Sequence, residues 1–274
     1  MPIFASRLLH FAGGALGLLA AHATPAAAQS NSVPNLQPDP GGWTHPFGGT
    51  FPPVAGSPPP VSQDPSHPYI NPVVSFKFGD ISNANLKPWA KEVMKKDNEE
   101  ITRGKIAFTA NSSCRPSGVP AFMLMPGPFY ILQAPTKVIM IEEQTYKSRH
   151  IYLNVPHSTN PKPSYYGESV GFYEGDSLIV DSIGFNTKTV VDSFRTPHTE
   201  KLHVVERFTI SKDARTLTAI ITVEDPDTFN GPLTLKQTWR RNETEMREWV
   251  CAEDVADHFN QNLHPLPQAD KPDF

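Results

Sequence analysis

Side chains able to move protons crowd into one stretch of this sequence. Arg149, His150, His157, Tyr165, Tyr166, Glu168, Glu174 and Asp176 fall within residues 149–176. Imidazole, phenol and carboxylate groups close together are the parts of general acid–base catalysis. An imidazole titrates at about 6.5, so it serves as base or acid near neutral pH. His157 with Glu168 is the leading pair: a carboxylate holds one tautomer while the other ring nitrogen moves a proton. His157 lies in a proline-flanked loop, where packing gives no reason for an imidazole. Tyr173-Glu174-Gly175-Asp176-Ser177 also reads as a turn, with Gly175 taking positive φ and Asp176 bonding the local backbone.

A second group follows: Asp192, Arg195, His198, Glu200, His203, Glu206 and Arg207. If residues 202–210 form a regular strand, Leu202, Val204, Glu206 and Phe208 share one face, and His203 and Arg207 take the other. A carboxylate on an apolar face is either paired or functional. The pairing reading gives Glu206 an arginine from another strand, Arg149 or Arg240. The functional reading places it in a pocket. The candidate catalytic set is therefore His157, Glu168, Tyr166, His203 and Glu206. Arg149, Tyr152, Tyr165, Phe172, Arg207 and Trp239 are the candidate substrate contacts. His150, His157, His198 and His203 show no HExxH or other standard metal-ligand spacing. Gly167-Glu-Ser169-Val-Gly171 spells GxSxG, but a nucleophile elbow needs a strand–turn–helix in an α/β sheet.

The elements around these residues read as β. Residues 129–133, 137–143, 150–153, 177–183, 202–210, 216–224, 233–241 and 246–251 are short, alternating or β-branched, with Gly, Pro and Asp turns between them. That spacing predicts an all-β antiparallel barrel or curved sandwich of lipocalin-like size. One helix is expected near 86–104, with Pro88 in its first turn and Trp89, Val93, Met94 and Ile101 on one face. No GxGxxG or P-loop motif is present, which argues against a nucleotide cofactor. A barrel of about eight strands holds one small ligand. Phe122, Phe129, Tyr130, Tyr146, Tyr152, Phe172 and Trp239 are candidates to line such a cavity or to form plain core.

The ends of the chain carry different signals. Arg7, an apolar run over 8–21 and small residues up to Ala28 read as a cleaved secretory leader over 1–28. The run is too short for a comfortable membrane span. Residues 29–72 are proline-rich: 11 of the 29 prolines fall in 30–70, so an extended arm or linker is expected. The β-rich domain then covers 73–258, with a loose tail over 259–274. Cys114 and Cys251 form an even pair in an oxidising compartment, either bonded or buried as thiols. A net charge of -4 with scattered Lys and Arg marks no nucleic-acid surface.

Seven ordered motifs give the chain a resemblance. They are LKPWA at 86–90, CRPSGVP at 114–120, RHIYLNVPH at 149–157, GESVGFYEGDSLIVDSIGF at 167–185, HTEKLHVVERF at 198–208, VEDPDTF at 223–229 and EWVCAED at 248–254. Together they resemble a family of secreted, mostly uncharacterised bacterial proteins marked by a GxSxGxxEGDxLxVDxxGF segment. Many of those relatives have Asp-Gly-Arg where this chain has Asn154-Val155-Pro156, and His in place of Glu168. The resemblance implies export and carries no catalytic assignment. Two function classes follow. One is a periplasmic or secreted, cofactor-free lyase, isomerase or hydrolase acting on a small organic or carbohydrate-like substrate. The other is a ligand-binding or structural protein whose polar residues form ion pairs and turns.

Overall fold

A computed structural model describes residues 33–37, 40–45, 49–68, 77–103, 114–125 and 127–250. The expected leader, the 259–274 tail and the Cys114–Cys251 pairing fall outside the described residues. The strands are β1 (Gly42–Thr44), β2 (Phe129–Ala134), β3 (Lys137–Glu142), β4 (Ser148–Leu153), β5 (Glu168–Glu174), β6 (Ser177–Ile183), β7 (His203–Ile210), β8 (Thr216–Glu224) and β9 (Leu233–Asn242). Each pairs with the next, and β9 pairs with β1, so the sheet closes into a barrel. A single α-helix, α1 (Pro88–Thr102), is described beside it.

Alternation builds the wall. Along β6, Leu178, Val180 and Ser182 point inward while Ile179, Asp181 and Ile183 point out. Along β7, Val204, Glu206 and Phe208 point inward and His203 and Arg207 outward, as the period of two requires. The interior is packed. Trp239 lies edge-on to Phe129, with centroids 5.3 Å apart, and stacks against Phe208 at 6.3 Å. Val138, Met140, Ile151, Leu217, Ile221 and Leu235 fill the space around them.

Three expectations change here. The first concerns direction: every neighbouring pair is antiparallel except β4 and β5, which run parallel. A parallel pair needs a crossover of about a dozen residues. Residues 154–167 supply it, anchored where Ser164 bridges Phe185. The second concerns the proline-rich stretch, which does more than extend. It contributes β1, and Trp43 is fully buried with its indole N–H donating to the Leu36 carbonyl at 2.8 Å. Few apolar residues suffice there, because β2 and β9 supply the opposing hydrogen-bonding edges. Third, residues 243–250 form no strand. Their polar groups turn instead to side chains at the end of β3: Arg247 Nη2 donates to Glu143 at 3.0 Å and the Trp249 amide to Tyr146 Oη at 2.6 Å.

The helix buries Ala90, Met94 and Ile101, a stripe at helical spacing. Trp89 and Val93 lie off that stripe and are partly exposed. Trp89 instead uses its indole N–H on the Asp227 carbonyl, which ties α1 to the β8–β9 turn.

Candidate functional site

The inward and outward faces of one sheet divide the predicted residues into three groups. The first is outward. His157, from the crossover, stands between two carboxylates: Nδ1 is 3.0 Å from Glu168 and Nε2 is 2.9 Å from Asp181. Asp181 is shared, since both its oxygens lie 3.2 Å from His203 Nε2. His203 Nδ1 in turn meets Glu224 at 3.2 Å. The result is one chain, Glu168–His157–Asp181–His203–Glu224, running across β5, β6, β7 and β8. The registers explain it. His203 opposes Glu224 directly. Asp181 opposes Val170 and Val205, which puts it diagonal to Glu168 and to His203.

All five groups keep partial solvent access. Hydrogen bonds from the Ser158 side chain and backbone hold the Glu168 carboxyl below its usual range. Burial pulls His203 down, but its hydrogen bonds to Asp181 and Glu224 outweigh that and raise it. A neutral imidazole donates from one nitrogen alone, so only the doubly protonated ring can donate to both flanking carboxylates.

The second group is inward. Arg149 and Glu206 are fully buried and form a two-pronged pair, with Nη1 to Oε1 at 2.7 Å and Nη2 to Oε2. Ser182 and Ser169 complete the guanidinium's shell at 2.9 and 3.2 Å. Of the two readings for Glu206, the structure bears out the ion pair with an arginine from another strand.

The third group lies at the end of β3, where Glu142 opposes Phe129, the first residue of β2. Glu142, also buried, accepts from Ser117, from Thr145 at 2.6 Å and from Tyr166 at 3.1 Å. Burial raises the Glu142 carboxyl against the pull of those three donors. Burial and the Glu142 charge together push Tyr166 well above the ordinary phenol value. The adjoining pocket, lined by Phe122, Phe129, Glu142, Glu143 and Trp239, has a volume of about 10 Å³. That is room for about one water.

The five predicted catalytic residues therefore do not converge on one point. His157, Glu168 and His203 meet on the outer face, Glu206 is locked inside with Arg149, and Tyr166 belongs to the Glu142 cluster. Tyr152, Phe172 and Arg207 point outward, Trp239 is core, and Tyr165 is half-buried in the crossover. Three participants escaped the sequence reading: Asp181, Glu224 and Glu142. Asp181 carried a usable signal, since it alternates with Leu178, Val180 and Ser182 and so had to face outward with His203.

Among the described residues, no group of three or more His, Cys, Asp or Glu has the arrangement to hold a metal ion. No described helix is long and apolar enough to cross a membrane. Compared with protein-family models, curated proteins and solved structures, the chain matches none.

Proposed function

We propose that this is an exported, cofactor-independent acid–base enzyme of the lyase or isomerase kind, working on a small organic substrate at the outer face of β5–β8. One observation carries the reading: the unbroken, partly exposed chain from Glu168 to Glu224. Glu168, held ionised, accepts the Nδ1–H of His157 and fixes its tautomer. Nε2 then takes a proton from the substrate as Asp181 turns to His203, which already contacts both its oxygens. The imidazolium returns that proton to a neighbouring carbon of the same substrate in an isomerisation, or to the leaving group as its bond to carbon breaks in an elimination, so no outside reactant is needed. The extracytoplasmic setting rests on the leader-like residues 1–28.

A second reading, a binding protein without catalysis, has its own support. Both ring nitrogens of each imidazole already face carboxylates, and the barrel interior is packed. One experiment divides the two. The mature chain and His157→Gln are incubated with sugars, aromatic acids, terpenoids and steroids, and each mixture is assayed for both binding and conversion. The enzyme reading expects conversion by wild type, reduced about 10²- to 10⁴-fold in the variant, with binding retained. Binding of the same compound by both, with conversion by neither, sinks catalysis and leaves the binding protein.

A further inference from the structure

The outer face carries a second feature beside the charged row. Tyr152 on β4 and Phe172 on β5 are 44% and 47% exposed, although both belong to residue types that usually seek the interior. Tyr152 opposes Val170, and Phe172 is the next outward residue on β5, so the two rings are diagonal neighbours. The apolar surface continues sideways. Phe172 opposes Ile179 on β6, and Ile179 in turn opposes Arg207 on β7, which ends the strip before the exposed Ile220 on β8. Charged groups border this strip on both sides. On one side is the Glu168–Glu224 chain: Asp181 is one outward step from Ile179, about 7 Å along the strand, and Glu168 is two outward steps from Phe172. On the other is Glu174, paired with Arg207, which stands in the strip's own row opposite Ile179. Lys137 reaches over the Tyr152 ring, 4.8 Å from its centroid.

We infer that this strip seats a neutral carbohydrate, with one sugar ring lying on Phe172 and its hydroxyls reaching the carboxylate–imidazole chain. The inference rests on the proposed working face and names its substrate class. A sugar ring has an apolar C–H face that suits an aromatic ring, whose face is electron-rich. It also has a rim of hydroxyl donors. The carboxylates in the row only accept hydrogen bonds, so they favour a ligand rich in donors. Arg207 and Lys137 supply donors for the ring and hydroxyl oxygens. An acyl chain would leave all of these polar groups unanswered and desolvated. An acidic sugar would meet three carboxylates of like sign.

The test is titration calorimetry on the mature chain with maltohexaose, cellohexaose, chitohexaose and, as the anionic counterpart, hexagalacturonate. We expect at least one neutral hexamer to bind and the galacturonate not to. Phe172→Ala is expected to weaken binding by about tenfold or more, and Leu132→Ala, elsewhere on the barrel's surface, to leave it unchanged. Phe172 is exposed, so its variant retains the wild-type melting transition and serves as a folded test. Absence of binding by all three neutral hexamers overturns the inference, as does equal binding by Phe172→Ala. His157-dependent conversion of a non-sugar, with no hexamer bound, overturns the carbohydrate inference alone. Hexamer binding through Phe172 without any conversion supports it and overturns the enzyme reading instead.

Discussion

At the scale of single residues, the two ionic networks obey opposite rules because water reaches only one of them. Arg149 and Glu206 have none, so each is tolerable only because the other is present. Glu206→Gln leaves a buried guanidinium uncompensated and is expected to cost about 3–5 kcal/mol in urea unfolding. The double change Arg149→Met with Glu206→Leu should recover most of that loss. A double variant as unstable as the single one would mean that the pair is irreplaceable. The outer row is weaker and tuned by pH. His203 is raised above the ordinary imidazole value by Asp181 and Glu224. A raised imidazole stabilises fully below its unfolded pKa, and that contribution fades as pH climbs through the folded value. His203→Gln should therefore cost more at about pH 5.5 than at about pH 9. The cost should be at most about 1 kcal/mol, since the partners are solvent-screened. Equal urea midpoint shifts at the two pH values would contradict the assignment.

At the scale of elements, the parallel seam between β4 and β5 brings His157 to its partners. Gly171 sits in that seam, where an added Cβ would lie 2.7 Å from the Ile179 carbonyl oxygen and 3.0 Å from Ile151 Cγ2. Gly175, in the tight β5–β6 turn, has positive φ but open space around it. Gly175→Ala should cost only backbone strain, about 1 kcal/mol. Gly171→Ala should cost more, because backbone and a branched side chain must both yield. It should also loosen the crossover. Amide exchange at Asn154, whose N–H donates to the Gly171 carbonyl at 2.8 Å, reads that loosening directly. Protection unchanged from wild type would show that the seam adapts without moving the loop.

At the scale of the whole molecule, closure of the barrel depends on three residues far from the rest in sequence. β1 joins β9 to β2 through Trp43, which faces Arg241 on one side and Phe129 on the other. Trp43→Ala should cost about 3–5 kcal/mol by thermal or urea unfolding. Removing residues 1–50 should cost more and change behaviour in solution. The β2 and β9 edges would lose their partner, and open edges pair with other chains. Size-exclusion chromatography should show more association than the chain that keeps β1; a truncation with unchanged elution and wild-type melting would mean that the barrel closes without β1.

Seven of the nine strands, the single helix and the faces of β7 were legible in the sequence, because each is fixed by local periodicity and burial. Val204, Glu206 and Phe208 announce their inward side by alternation alone. The sequence left Glu206 either paired or functional, and the buried Arg149 shows that it is paired. Local pattern does not encode which distant segment closes a sheet. Trp43 looked like part of a proline-rich arm, and β5 was hidden by two glycines and a turn-like charge cluster. Nor does it encode register across strands. Asp181 became the hub between His157 and His203 because β5, β6 and β7 align it diagonally with both Glu168 and His203. Tyr166, in the crossover, was separated from the outer row by its bond to Glu142, which lies far away in sequence. Alternation determined what each strand shows to water, and tertiary pairing alone decided which of those groups meet.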